Sequence, residues 1–146
     1  GDYIIIEADG AARKPFKAPS DHEPVIFSAT TLLLNIVGID ALNKPLTGEF
    51  VHRPERIMAI TGKKEGDIIT SQDIAQVLLS DQGGRKLLPQ DSRWLPIINK
   101  VDGEKEQIMA EQVAEALKQR GWDDIYFSHF LDDHWQLCRF QEEKVK

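Results

Sequence analysis

The chain has 146 residues, which is enough for one domain and too few for two domains of ordinary size. Its 18 lysines and arginines stand against 24 aspartates and glutamates, so the formal net charge is −6. This balance argues against a nucleic-acid binder or a protein of anionic membranes, because both need a large cationic surface. The single cysteine, Cys138, cannot form an internal disulfide, and the apolar runs are too short to span a membrane. The composition therefore predicts a cytoplasmic protein.

Five apolar segments predict β-strands, at residues 3–6, 31–38, 95–99, 125–128 and 135–140. The first three are continuous apolar runs, which is typical of strands buried on both faces of a parallel sheet. Pro96 is expected near the beginning of its strand, because proline cannot donate to a strand ladder. The last segment alternates, so it is predicted to be an edge strand, with Cys138 in the core rather than acting as a nucleophile.

Helix signals lie between these strands. Pro54 suits a first helical turn, and Thr70 or Ser71 can cap a second helix. Residues 104–120 carry apolar side chains at helical spacing, and Gly121 is placed to end that helix. The remaining long irregular stretch is 11–24, which contains three prolines. Strands alternating with helices predict a single α/β domain over residues 1–146, a sandwich built on a mainly parallel sheet.

Two acidic residues follow the first predicted strand. Glu7 and Asp9, with Gly10 next, would lie at the carboxyl end of that strand, where ligands bind in open α/β sheets. P-loop NTPases hold Mg²⁺ with an acid at this position, so Asp9 and Glu7 are candidate metal ligands. The alternative is that Asp9 and Gly10 form a turn that only ends the strand.

The sequence Asn99-Lys100-Val101-Asp102 follows another predicted strand. It has the Asn-Lys-x-Asp pattern by which GTPases recognise guanine. Asp102 would accept hydrogen bonds from the N1–H and 2-amino groups of the base, the Lys100 stem would lie along the ring, and Asn99 would brace the loop. The alternative is that Asp102 is the N-cap of the helix that follows.

Three cations, Arg13, Lys14 and Lys17, lie within five residues of an otherwise acidic chain. Beside a metal-binding acid, Arg13 and Lys17 could neutralise phosphate oxygens, although the same cations would also occur in a solvated loop.

Two further features argue against a metal or nucleotide site. One is a group of possible metal ligands whose spacing matches no standard zinc site: His129, Asp132, Asp133 and His134. The phosphate-binding pattern G-x-x-x-x-G-K-[ST] does not occur in the sequence, so half of a nucleoside triphosphate site is missing from it.

The sequence resembles the YqeC family. The most distinctive stretch is 7–19, which reads EADGAARKPFKAP, and the resemblance continues through 37–42, 51–55 and 99–102. It implies a fold of the P-loop NTPase type, a three-layer sandwich with a mainly parallel sheet, and a glycine-rich phosphate loop upstream of residue 3. The chain would then be the C-terminal part of a nucleotide-binding domain, and residues 3–6 would have their neighbouring strand upstream.

The resemblance also implies a function, because family members are described as accessory proteins of selenium-dependent molybdenum hydroxylases. We expect a protein that binds GTP or another nucleoside triphosphate with Mg²⁺ and assists maturation of such a hydroxylase, with the hydroxylase or its maturation proteins as partners. Two alternatives stay open. One is a protein-interaction module that keeps the nucleotide-binding fold without catalysis and binds a partner through residues 11–24. The other is an enzyme resembling the nucleotidyltransferases of the molybdenum cofactor. Nothing in the sequence identifies catalytic residues, so NTPase activity is an open question.

Overall fold

The described part of the protein is a mixed α/β structure with two sheets and three α-helices. The structure, a computed structural model, describes residues 1–131 and 133–141. The strands are β1 (Phe16–Lys17), β2 (Leu32–Gly38), β3 (Val51–His52), β4 (Arg93–Asn99), β5 (Tyr126–Leu131) and β6 (His134–Arg139). The helices are α1 (Pro54–Thr61), α2 (Ser71–Leu79) and α3 (Glu104–Gln119), and a short 3-10 turn (Ile39–Ala41) follows β2.

The main sheet has the strand order β2-β4-β5-β6, in which the first three strands are parallel and β6 is antiparallel at the edge. The predicted mainly parallel sheet and edge strand are therefore both present. Pro96 lies in the middle of β4 rather than near its beginning. The position is tolerated because the backbone groups of alternate residues in a strand point toward opposite neighbouring strands. The Arg93 amide donates to the Thr31 carbonyl on the β2 side, so the backbone nitrogen of Pro96 is on the β5 side. There β4 pairs with β5 only through Ile97 and Ile98.

The helices begin and end close to the predicted positions. Pro54 opens α1, and Thr70 caps α2 through a capping box in which Thr70 and Asp73 exchange hydrogen bonds. Helix α3 ends before Gly121, whose φ of 92° suits the left-handed conformation that favours glycine. The helices bury their apolar faces against one side of the sheet, in a core that contains Val37, Trp94, Ile98, Phe127, Ile57, Ile74, Val113 and Leu117.

The opposite side of the sheet presents apolar side chains to solvent. Leu32, Leu34 and Ile36 of β2 alternate with residues of the helix-facing side, and Ile36 is 58% exposed. Leu95 and Ile97 of β4 lie on this side as well, outside the main core cluster, but they are buried at 8% exposure each. Within residues 1–131 and 133–141, the helices therefore provide one layer over the sheet, and a second helical layer is not seen.

The predicted strand at residues 3–6 is wrong for this structure. These residues form no strand, and their side chains are solvent-exposed, with Ile5 at 95%. The reason is physical: a strand needs a partner for its backbone groups, and an apolar run gains nothing by ordering where no surface covers it.

Two smaller expectations also need correction. Cys138 is exposed on the edge strand β6 rather than buried in the core, because β6 has solvent-exposed residues along its whole length. The irregular stretch 11–24 contains the short strand β1, which pairs in parallel with β3. No helix in the described part of the chain combines the length and apolar character that a membrane crossing requires.

The capping box of α2 gives a stability test. Thr70→Ala removes the hydroxyl that accepts from the Asp73 amide and donates to its carboxylate, so we expect a loss of about 1 kcal/mol in the free energy of unfolding. Urea unfolding measures it. The control is Ser71→Ala, one residue into the helix and outside the box, which should change stability by less than about 0.5 kcal/mol. Equal losses in both variants would contradict the capping role.

Candidate functional site at the carboxyl edge of the sheet

The parallel pairing of β2 with β4 brings two loops together at the carboxyl edge of the sheet. Gly38, the last residue of β2, lies opposite Asn99, the last residue of β4. Just beyond them, Lys100 Nζ lies 3.0 Å from Asp40 Oδ2, and both side chains are about half exposed at 47% and 48%. Lys100 adopts a left-handed φ of 64°, so the chain bends sharply there as it leaves β4.

The predicted metal-binding acid lies at the same edge. Asp9 forms an ion pair with Lys17, and Lys17 Nζ also donates to the Gly10 carbonyl oxygen at 3.0 Å. The Gly38 amide donates to the Pro15 carbonyl at 2.7 Å, which ties the segment that carries Lys17 to the end of β2. A Cβ at Gly38 would come within 2.9 Å of Pro15 Cβ and 2.5 Å of Asp40 Oδ1, so this close approach requires glycine.

The other two residues predicted on this side, Glu7 and Arg13, are exposed. Arg13 and Ala12 both have positive φ, 62° and 49°, in a turn closed by a hydrogen bond from the Lys14 amide to the Ala11 carbonyl. Non-glycine residues pay about 1–2 kcal/mol each for that conformation. The turn lies between Asp9 and Lys17 in the sequence, and the Arg13 side chain is exposed.

Asp102 lines a cavity of about 450 Å³ between the start of α3 and the strands β5 and β6. The N-cap of α3 is Gly103, without a side-chain cap, so Asp102 is not the capping residue that the alternative interpretation requires. Its carboxylate is exposed. Asn99 Oδ1 accepts a hydrogen bond from Ser128 Oγ at 3.0 Å, which links the loop after β4 to β5.

Ser128 and His129 of β5 line the same cavity. His129 Nε2 lies 2.9 Å from Gln136 Oε1, whereas its Nδ1 is buried and has no hydrogen-bond partner among the described residues. The described residues contain no cluster of three or more side chains that could hold a metal ion, so His129, Asp133 and His134 do not form one. Asp132, the remaining member of that predicted group, lies outside the described residues.

The segment that carries Asp9, Arg13 and Lys17 is fastened to α1 by two ion pairs. Arg53 donates to both carboxylate oxygens of Glu23, at 2.8 and 3.1 Å, and Arg56 pairs with Asp21 at 2.7 Å. Burial pushes the pKa of Glu23 upward, but the hydrogen bonds and charge of Arg53 outweigh it, so the pKa lies below its ordinary value of 4.5. The hydrogen bond and charge of Arg56 likewise lower the pKa of Asp21.

The site residues fall into two groups rather than one. Asp9, Lys17 and Arg13 belong to the segment beside the end of β2, while Asn99, Lys100 and Asp102 follow β4. The sequence interpretation missed Asp40, which partners Lys100 and lies next to the first group, and Ser128, which holds Asn99. A signal for Asp40 was available, because Gly38-Ile39-Asp40 follows an apolar strand just as Asp9 follows residues 3–6.

Comparison with known proteins confirms the resemblance inferred from the motifs. Residues 1–55 match the model of a family described as YqeC protein. Over 138 residues the chain is 28% identical to a protein of Escherichia coli (strain K12) named "Uncharacterized protein YqeC". That match covers 94% of this chain and 54% of the relative, so the chain spans about half the length of the relative. No solved structure matches the chain.

The Glu23–Arg53 pair predicts a pH dependence of stability. A carboxyl whose folded pKa is lowered contributes stability above its unfolded pKa, near 4.5, and this stability is lost as the pH falls through the folded value. Glu23→Gln should therefore lower the free energy of unfolding by about 1 kcal/mol at pH ~6 and by less at pH ~3. Urea unfolding at both pH values tests it. Glu65→Gln, at an exposed position, is the control and should leave the pH profile unchanged.

Proposed function

Because the chain resembles the YqeC family over most of its length, we propose that it is a nucleotide-binding accessory protein whose ligand lies along the carboxyl edge of the main sheet. GTP with Mg²⁺ is the proposed ligand. The fold proposed for the whole protein is the three-layer P-loop NTPase type, of which the described residues contain a parallel sheet and one helical layer.

The position of Asp102 carries the proposal. Its carboxylate is exposed, caps no helix and lines a cavity large enough for a purine base. Lys100, two residues earlier, is bent out of β4 by its left-handed φ, and Asn99 is braced by Ser128. A carboxylate is a good acceptor for the two adjacent N–H donors of guanine. Adenine presents no such pair of donors, so the arrangement favours GTP over ATP.

The glutamates at the start of α3, Glu104 and Glu106, compensate the helix dipole and make this end of the cavity unfavourable for phosphates. The phosphates would therefore extend toward the end of β2.

The end of β2 supplies groups that suit phosphate and Mg²⁺. Asp9 and Gly10 offer a carboxylate and a carbonyl oxygen, which are the oxygen ligands that Mg²⁺ prefers, and Glu7 lies two residues earlier. The Lys17 ammonium already contacts the Asp9 carboxylate and the Gly10 carbonyl oxygen. With Mg²⁺ bound, Lys17 would be released to neutralise phosphate oxygens together with the exposed Arg13. Mg²⁺ would supply the charge that holds the triphosphate.

The cellular role proposed is in maturation of a selenium-dependent molybdenum hydroxylase, with the hydroxylase or its maturation proteins as partners. It follows from the family resemblance and not from the geometry of the site. A nucleotidyltransferase reaction on the molybdenum cofactor would use the same Asp9 and Glu7 for metal. Product analysis after incubation with the cofactor and a labelled nucleotide distinguishes the two, because only the transferase attaches label to the cofactor.

A protein-interaction module is the second candidate, favoured by the exposed apolar side of the sheet. Leu32, Leu34 and Ile36 form a continuous apolar stripe there, and stripes of this kind commonly mark interaction surfaces.

A measurement of nucleotide binding distinguishes the two candidates, since only the first requires it. The chain has no phosphate-loop motif, so we expect weak GTP affinity, with a Kd of about 1 mM, measured by NMR titration in the presence of Mg²⁺.

Asp102→Asn gives the sharpest test of base recognition. The amide loses one acceptor and gains a donor, and xanthine carries a carbonyl oxygen where guanine carries its 2-amino group. The variant should therefore prefer XTP over GTP by about tenfold, the reverse of the unmodified chain, because a mismatched polar group costs about 1–3 kcal/mol. NMR titrations with both nucleotides measure the ratio. Glu111→Gln, which removes a carboxylate on the same cavity outside the motif, is the control and should keep the GTP preference.

Asp9→Ala tests the metal side. We expect Mg²⁺ to stop improving GTP affinity in this variant, while the free energy of unfolding changes by about 1 kcal/mol or less, because a partly exposed ion pair contributes little. Asp124→Ala, which removes a carboxylate paired with Arg93 at the opposite end of β4, should keep the Mg²⁺ effect. A loss of several kcal/mol in Asp9→Ala, with the Mg²⁺ effect intact, would identify Asp9 as a structural turn residue instead.

A further inference from the structure

The outer edge of β6 is a regular strand edge with which no strand in the described part of the chain pairs. On its other side, β6 pairs with β5 through all 6 of its residues, and the strand is exposed along its whole length. Its sequence, HWQLCR, contains neither proline nor lysine, which commonly protect a strand edge from further pairing. The outward N–H and C=O groups of β6 are therefore open to another strand.

The hydrogen bonds to β5 show which residues of β6 point their backbone groups outward. The Phe140 amide donates to the Ile125 carbonyl at 2.8 Å, next to β6 and in the same antiparallel register. Bonded and non-bonded pairs alternate in such a ladder, so Cys138 and Gln136 also bond to β5. The backbone groups that point away from the sheet belong to the residues between and beside them: Trp135, Leu137 and Arg139.

The side chains of these three residues form a self-complementary row. They lie on the side of the sheet away from the helices, because Cys138, which alternates with them, is paired with the core residue Phe127. Leu137 lies midway between Trp135 and Arg139. A two-fold axis at Leu137 therefore places Trp135 of each copy opposite Arg139 of the other. An arginine beside an indole ring is attracted by the negative face of the ring.

Arg139 is placed to make that contact. Its Nε lies 3.2 Å from Asp124 Oδ1, and about half of its side chain is exposed. Across the ladder, Arg139 pairs with Tyr126, and Trp135, which is 69% exposed, pairs with Phe130. In the two-fold arrangement, Arg139 would lie in a row between Tyr126 of its own chain and Trp135 of the second copy.

We propose that two copies of this chain pair along the outer edges of their β6 strands, antiparallel and centred on Leu137. Leu137 exchanges two backbone hydrogen bonds with Leu137 of the second copy, and Trp135 exchanges two with Arg139 at each end. The two 4-stranded sheets then form one continuous sheet. The proposal concerns assembly and does not depend on nucleotide binding.

The outer edge of β2 is less suited to a second copy. The Gly38 amide already donates to the Pro15 carbonyl, so one outward group at that edge is occupied. The other outward residues, Leu32, Leu34 and Ile36, are all aliphatic, so no pair of unlike side chains favours one register over another. In β6 the tryptophan and the arginine favour a single register.

The first measurement is the mass of the chain in solution, without nucleotide. At about 100 μM we expect a dimer with twice the chain mass of 16.5 kDa, which dissociates on dilution with a Kd of about 10 μM. Light scattering after size-exclusion chromatography measures it. In NMR exchange experiments, the amides of Trp135, Leu137 and Arg139 should exchange at least tenfold more slowly in the dimer. The amides of Gln136 and Cys138, which bond to β5, should exchange slowly in both states.

A disulfide tests the register. In the proposed pairing, Gln136 is opposite Cys138 of the second copy, in a non-hydrogen-bonded pair with a Cα separation of about 4.5 Å, which a disulfide can span. Gln136→Cys should therefore give a covalent dimer with oxidised glutathione, seen on a non-reducing gel. The unmodified chain should not, because its two Cys138 residues would be about 8 Å apart. Gln136→Cys combined with Cys138→Ser is the matched control and should also stay uncross-linked.

A pair of proline variants locates the edge. Leu137→Pro removes an outward N–H without touching the bonds between β6 and β5, so it should weaken the dimer at least tenfold. Leu34→Pro makes the same change at the outer edge of β2 and should leave the dimer intact. Circular dichroism checks that both variants fold, and the disulfide test stands without either of them.

Three results would overturn the proposal. A monomer at about 100 μM would leave the edge of β6 to a different polypeptide. A dimer that Leu34→Pro dissociates and Leu137→Pro does not would assign the contact to β2. A dimer in which Gln136→Cys forms no disulfide with Cys138 would place the contact, or its register, elsewhere.

Discussion

The parallel register of β2 against β4 is the constraint on which the rest of the structure depends. It sets Gly38 opposite Asn99, so that both strands end at one edge and their following loops become neighbours. Val37 and Ile98, paired one position earlier, are buried in the core that the helices cover. A shift by one residue would turn these side chains to the open side and separate Asp40 from Lys100. The core and the candidate site are therefore fixed by the same pairing.

The charged side chains at the carboxyl edge of the sheet form ion pairs with one another. Asp40 and Lys100 form an ion pair whose side chains are about half exposed, and exposed pairs contribute about 1 kcal/mol or less. A ligand that brings its own charges can replace one partner of that pair at small cost. The Asp9–Lys17 pair is less exposed, with side chains 22% and 15% exposed. The Glu23–Arg53 pair differs from both in its bidentate geometry, which fastens the segment to α1.

Residues with a positive φ show which backbone conformations the sequence can predict and which it cannot. Asn43 has a φ of 68°, in the left-handed region that asparagine tolerates better than most residues. Ala12, Arg13 and Lys100 have positive φ without any such sequence signal. Their conformation is imposed by contacts made elsewhere in the chain, which no local pattern records.

The sequence by itself determined the features that depend on local chemistry. Proline at the start of α1, the capping box at Thr70 and the glycine after α3 act within a few residues, and an apolar run fits a buried strand wherever it lies. Only the tertiary structure decided which strands found partners. Residues 3–6 and β2 are both apolar runs, but β2 pairs with β4, whereas no strand in the described part of the chain pairs with residues 3–6. It also decided that Asp40 partners Lys100 and that Cys138 is exposed, because both depend on strand order, which arises from contacts distant in sequence.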